Sequence, residues 1–146
     1  MSTVTQLTES LKSGIIDSKL AEIYPGKENE GKLRLLEAIN RFTEIFPKAD
    51  DCTLFSTPGR TEVGGNHTDH QNGCVLAASL DLDIIAVVAP NDEEIVRVQS
   101  AGYDMDVVDL EVLTPVDEEK EHSPALVRGI CARFKELGYN IGGFDA

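Results

Sequence analysis

Apolar positions recur at helical spacing in three parts of the chain. Leu7, Leu11, Ile15 and Leu20 predict a helix from Val4 to about Ile23, weakened in its middle by Gly14 and ended by Tyr24-Pro25-Gly26. From about Glu28 to Phe46, Leu35, Ile39, Phe42 and Phe46 fall on one face, and Lys32, Arg34, Glu37 and Arg41 on others; an amphipathic helix stopping near Pro47 follows. Later, Ser123-Pro124 offers an N-cap and a first-turn proline. Leu126, Ile130, Phe134 and Leu137 then predict a packed helix, with Gly138 placed for a left-handed C-terminal cap.

Between the second and third helices the period shortens. Leu54-Phe55-Ser56 predicts a short strand running into Pro58-Gly59, and the apolar runs Val75–Leu80 and Ile84–Ala89 predict buried strands. Pro90-Asn91-Asp92 reads as a tight turn into the alternating stretch from Ile95 to Ser100, which suggests a hairpin, and Met105–Val112 is a further candidate strand. Gly142–Ala146 reads as a loop entering another element, so the chain is expected to stop within its fold. The order of elements predicts an α+β fold, a sheet with helices packed on one face.

With 146 residues, 41% of them apolar, the chain can bury the core of one domain. Its formal charge of −13 is spread along the whole length and repels nucleic acid and anionic lipid headgroups. The N-terminus has no basic start followed by an apolar run, and no stretch is long enough to span a bilayer, so a cytoplasmic protein is expected. Cys52, Cys74 and Cys131 are too irregularly spaced for a disulfide framework or a zinc knuckle and read as small buried thiols. Asp117-Glu118-Glu119 reads as a solvated loop, as does His122, to which no role is assigned.

Candidate chemistry concentrates in residues 57–73, where Gly59, Gly64, Gly65 and Gly73 allow turns and close backbone approach. Arg60, Asn66, His67 and Asp69 bring a cation, an amide, an imidazole and a carboxylate into one short segment, a set suited to a polyhydroxylated ligand. A carboxylate such as Asp69 accepts from adjacent hydroxyls, and Asn66 or His67 complements the remaining lone pairs. Two other readings stand beside this one. The polar residues could simply close turns through their own backbone. His67, Asp69 and His70 could ligate a metal, although they lack a fourth ligand and a helical register.

The run Gly59-Arg60 followed by Gly65-Asn66-His67-Thr68-Asp69-His70 resembles the galactokinase signature. The likeness extends to the preceding helix, the strand after Gly73, the region of Tyr103 and the late helix leading to Gly143-Phe144, about three quarters of the chain. It implies the mixed-sheet N-terminal domain of GHMP kinases, of the ribosomal protein S5 domain 2-like type, here truncated. It also implies that Asn66, His67 and Asp69 contact galactose hydroxyls, and that Arg60 both binds substrate and steadies charge near the transferring phosphate. Asn66 stands where the family usually has glutamate, His70 where tyrosine is usual and Glu62 where asparagine is common, which leaves room for a related hexose.

For the complete enzyme the resemblance implies transfer of the γ-phosphoryl of ATP, with Mg2+, to the anomeric hydroxyl of galactose. The family's glycine- and serine-rich phosphate loop has no counterpart in this chain, and neither Gly64-Gly65 nor Gly142-Gly143 supplies one. Residues 1–146 are therefore expected to be a sugar-binding part without the ATP loop or the C-terminal domain, inactive alone. A non-catalytic sugar-binding or regulatory module is the alternative, and a fragment without an independent fold is a third.

Overall fold

The computed structural model describes residues 2–65 and 72–146. Its helices are α1 (Val4–Ser13), α2 (Asp17–Ile23), α3 (Glu28–Ile45) and α4 (Ser123–Glu136). Its strands are β1 (Ser2–Thr3), β2 (Asp51–Gly64), β3 (Leu76–Pro90), β4 (Ile95–Val98), β5 (Asp106–Asp109) and β6 (Phe144–Asp145). Among the described residues they form a sheet in the order β1-β2-β3-β6-β4-β5, antiparallel at β1–β2, β3–β6 and β4–β5 and parallel at β4–β6. The α+β class and mixed sheet expected from the sequence are thus observed.

The chain divides into two compact units, Met1–Thr53 with Val87–Ala146, and Leu54–Ala86. In the first unit, α3 packs against α1 and α2, burying Leu11, Leu20, Tyr24, Leu35, Ile39, Phe42 and Phe46. The predicted face of α3 is the buried one. Gly14, at φ +80°, splits the predicted first helix into α1 and α2, as glycine in the left-handed region does when it ends a helix. α1 starts with a capping box: Thr3 Oγ1 accepts from Gln6 N at 3.2 Å while Thr3 N donates to Gln6 Oε1 at 3.0 Å.

A second core cluster in the same unit gathers Val96, Val108 and Leu110, with Val98, Leu113, Val127, Cys131, Ile141 and Phe144 against it. It corrects the expected packing of α4. The helix turns Val127, Arg128 and Cys131 inward, while Leu126, Ile130, Phe134 and Leu137 are 48–68% exposed. Arg128 is buried because its charge is fully partnered. Nε and Nη2 donate to Glu119 at 2.8 and 2.5 Å, and Nη1 donates to the carbonyls of Asp109 and Val112. Glu119, expected to be solvated, is therefore drawn from a 3₁₀ turn at Asp117–Glu119 into a structural ion pair. His122, not Ser123, is the N-cap residue of α4; Ser123 Oγ donates to Asp106 Oδ2 at 2.5 Å. Gly138 adopts φ +83° just past the helix, as its position predicted.

The predicted β3–β4 hairpin does not form, because β6 lies between the two strands. Asp145, 8% exposed, anchors β6 there: its Oδ1 accepts from Asn91 Nδ2 at 2.9 Å and Arg97 Nη1 at 3.0 Å. Arg97 also pairs with Glu93, and these two carboxylates raise its pKa above the ordinary arginine value.

The three thiols differ in setting. Burial, with Asp51 and Asp50 nearby, pushes the Cys52 thiol up, and burial does the same for half-buried Cys131. Both are poor thiolates and act as small apolar fillers. Cys74 is exposed, contrary to the expectation of three buried thiols.

Candidate functional site

The second unit, Leu54–Ala86, contains most of β2 and β3. The sequence suggested a short strand broken at Pro58-Gly59; instead β2 continues through both residues to Gly64. Ser56 Oγ donates to Asp83 Oδ2 at 2.7 Å, Gly59 faces Leu80 and Leu82, and Gly65 lies against Cys74 and Val75. Partners descend along β3 as positions rise along β2, so the two strands run antiparallel as a ribbon.

Side chains alternate across a strand, and that register sorts the ribbon into two faces. One carries Ser56, Arg60 and Glu62 from β2 with Ser79, Asp81 and Asp83 from β3. The other carries Phe55, Thr57, Thr61 and Val63 with Leu76, Ala78, Leu80, Leu82 and Ile84. The predicted buried strand Val75–Leu80 is therefore exposed along its length, and only from Ile85 do side chains of β3 become part-buried or buried in succession.

Arg60 is exposed and lies near the tip of the ribbon on its polar face. The strand ends approach closely there. Gly65 has φ +107°, and a Cβ on it would meet Cys74 O at 2.5 Å and Val75 Cα at 2.8 Å, so glycine is required on both counts. On the returning side Asn72 adopts φ +60°, in the left-handed region that asparagine tolerates better than most residues. The two strand ends thus reach residues 66–71 through a pair of left-handed positions. Sequence reading missed Asn72, although an Asn-Gly pair is a turn signal. Asn66, His67 and Asp69, like His70, lie outside the described residues, so of the predicted site residues only Arg60 is placed.

Among the described residues no group of three or more His, Cys, Asp or Glu side chains could hold a metal ion, and no helix is long and apolar enough to cross a membrane.

Residues 40–90 match the family model described as the galactokinase galactose-binding signature, a span running from the last turns of α3 to the end of β3. The fold is similar to the crystal structure of Lactococcus lactis galactokinase complexed with galactose, with a TM-score of 0.65 and 27% sequence identity. That similarity covers 76% of this chain and 29% of the galactokinase chain. The resemblance to galactokinases drawn from the motif is borne out, over about the share of the chain that the motif order suggested. The likeness to galactokinases thus rests on the signature over residues 40–90 and on the fold.

Proposed function

We propose that this chain binds galactose, or a closely related hexose, through the tip of the β2–β3 ribbon, as the sugar-recognition part of a galactokinase-type kinase. The observation that carries this reading is the coincidence of the galactose-binding signature with the ribbon whose ends converge at Gly65 and Asn72. Asp69 accepts hydrogen bonds from adjacent sugar hydroxyls, His67 and Asn66 complete the polar contacts, and Arg60 supplies positive charge beside them. Asn66 contributes an amide in place of a carboxylate and relaxes the choice of hexose.

The activity proposed for the whole kinase is transfer of the γ-phosphoryl of ATP to the anomeric hydroxyl, with Mg2+. The chain spans 29% of the galactokinase it matches, and its described residues do not fit the triphosphate. A phosphate cradle needs backbone N–H groups of a glycine-rich turn opening a helix. The helices here follow Thr3, Ile16, Lys27 and His122, none of them preceded by a glycine-rich run. No phosphoryl step is therefore derived from these residues. The same observation favours the second reading, sugar binding without turnover by the 146-residue chain alone.

Galactose titration followed by NMR or calorimetry, beside a coupled assay of ADP release, tests both readings. The expected result is saturable galactose binding that Asp69→Ala abolishes with an unchanged circular-dichroism spectrum, and no sugar-dependent ADP release. Binding that survives Asp69→Ala would remove the sugar-contact role.

A further inference from the structure

Among the described residues, Asn72 and Glu121 are the two other than glycine with positive φ. Glu121 lies between the 3₁₀ turn and α4, where the chain must change direction to enter the helix. Asn72 has no helix to enter. It stands on the returning side of the ribbon tip, just before Cys74, which the strand register sets against Gly65. The chain leaves that pairing at Gly65, at φ +107°, and comes back to it through Asn72, at φ +60°. The outgoing end needs glycine, because a Cβ there would meet Cys74 O and Val75 Cα. At the returning end glycine's place is taken by asparagine, one of the few residue types that enter the left-handed region at small cost. Glycine visits left- and right-handed backbone about equally and leaves the return open, whereas asparagine allows φ +60° with fewer alternatives.

We infer that Asn72 is a positioning residue for sugar recognition, whose left-handed backbone, and not its amide, sets the path by which the chain returns from residues 66–71. The inference rests on the reading that those residues hold galactose, and it goes further by naming a residue outside them on which affinity depends. A residue whose Cβ disfavours the left-handed region keeps this return path in only a fraction of molecules, and the apparent affinity falls by that fraction. A β-branched residue is the extreme case, since it is a true outlier at positive φ. Glycine discards the amide and keeps the path accessible.

The test is galactose titration of the full chain by calorimetry, beside Asn72→Gly, Asn72→Ala and Asn72→Val, with a circular-dichroism spectrum and a thermal midpoint for each. Asn72→Gly is expected to bind within about threefold of the unsubstituted chain. Asn72→Ala should bind about tenfold more weakly and Asn72→Val more weakly still, with unchanged circular dichroism. Rescue by glycine separates backbone conformation from a contact made by the amide. Should Asn72→Val fail to fold, the comparison of Asn72→Gly with Asn72→Ala decides the same point. Equal affinities in all variants, even with a lowered midpoint for Asn72→Val, would overturn the inference and leave galactose binding in place. A loss in Asn72→Gly as large as in Asn72→Ala would also overturn it, in favour of the amide. Absence of galactose binding by the unsubstituted chain would remove the underlying reading, and the role of Asn72 with it.

Discussion

Glu119 meets Arg128 edge to edge, with Nε 2.8 Å from Oε2 and Nη2 2.5 Å from Oε1, while the third guanidinium nitrogen donates to the carbonyls of Asp109 and Val112. One side chain therefore ties α4 to the end of β5, to the loop that follows it and to the 3₁₀ turn. The pair is nearly closed to water, with side-chain exposures of 7% and 14%.

Replacing Arg128 with methionine keeps the volume but strands two carbonyls and a carboxylate. Removing one partner of such a pair is far costlier than the pair is stabilising, because the other charge stays behind. Arg128→Met should lose about 3 kcal/mol of unfolding free energy. Urea denaturation reads this directly, and an unchanged midpoint would show the contacts to be idle.

The same pair sets a pH dependence. The Arg128 hydrogen bonds hold the Glu119 carboxyl below the usual carboxylate range, so the unfolded chain protonates first as pH falls. The stabilisation is fully present above the ordinary glutamate value and is lost as pH drops through the depressed folded one. Urea midpoints measured for the native chain and for Glu119→Gln should lie well apart near neutrality and converge in acid. A gap that stays constant with pH would assign the effect to packing rather than charge.

Arg128 also shows why part of the fold was legible and part was not. α4 presents two apolar rows, Leu126-Ile130-Phe134-Leu137 and Val127-Cys131, and spacing favours the longer one. The buried arginine, held by partners nine to nineteen residues away, turns the shorter row inward, and that long-range pairing leaves no local signal. α3 was read correctly because its single apolar face left no choice. β6 between β3 and β4 was not legible, since a two-residue strand carries no period. The ribbon was half legible: Leu80-Asp81-Leu82-Asp83-Ile84 alternates strictly, but the flanking apolar runs suggested burial, and Pro58-Gly59 suggested a break. The site was legible as a polar, glycine-punctuated segment, and the structure adds the left-handed Asn72 opposite Gly65.

Gly31 reverses the ordinary rule for helix glycines. It lies buried in α3, where alanine normally stabilises by about 1 kcal/mol. A Cβ there would enter the Tyr24 ring, within 2.7 Å of Cε2 and 2.8 Å of Cγ. Tyr24 is itself buried, with the Arg34 guanidinium 6.0 Å from its centroid, so the ring has little room to yield. Gly31→Ala should therefore destabilise by about 1–3 kcal/mol, the cost of overpacking. Thermal denaturation distinguishes this from a gain, and a raised midpoint would mean that Tyr24 moves aside freely.

Gly143 makes a comparable demand beside β6. A Cβ at that position would collide with the carbonyl of Glu93 and the side chain of Asn91, and would come within 2.6 Å of the Ile95 carbonyl. Asn91 is also the residue that donates to Asp145. Gly143→Ala should consequently loosen β6, with amide exchange rising at Gln99 and Ala146, whose N–H groups close the ladder between β4 and β6. Unchanged protection there would show that β6 is held without Asn91.

Two adjacent glycines at the ribbon tip allow the sugar-binding reading to be tested without touching a proposed ligand contact. Gly64 has open space where a Cβ would go, whereas Gly65 combines φ +107° with the close approach of Cys74 O and Val75 Cα. Alanine at 65 must shift the backbone that leads into residues 66–71, at a strain of about 1–3 kcal/mol. If those residues hold the sugar, Gly65→Ala should weaken galactose binding by about tenfold or more, and Gly64→Ala should leave it unchanged. A melting temperature shared by the two variants would show that the loss is local to the ribbon tip. Equal affinities in the two variants would mean that the sugar is not held by the segment entered at Gly65, and would move the search to the polar face around Arg60 and Asp81.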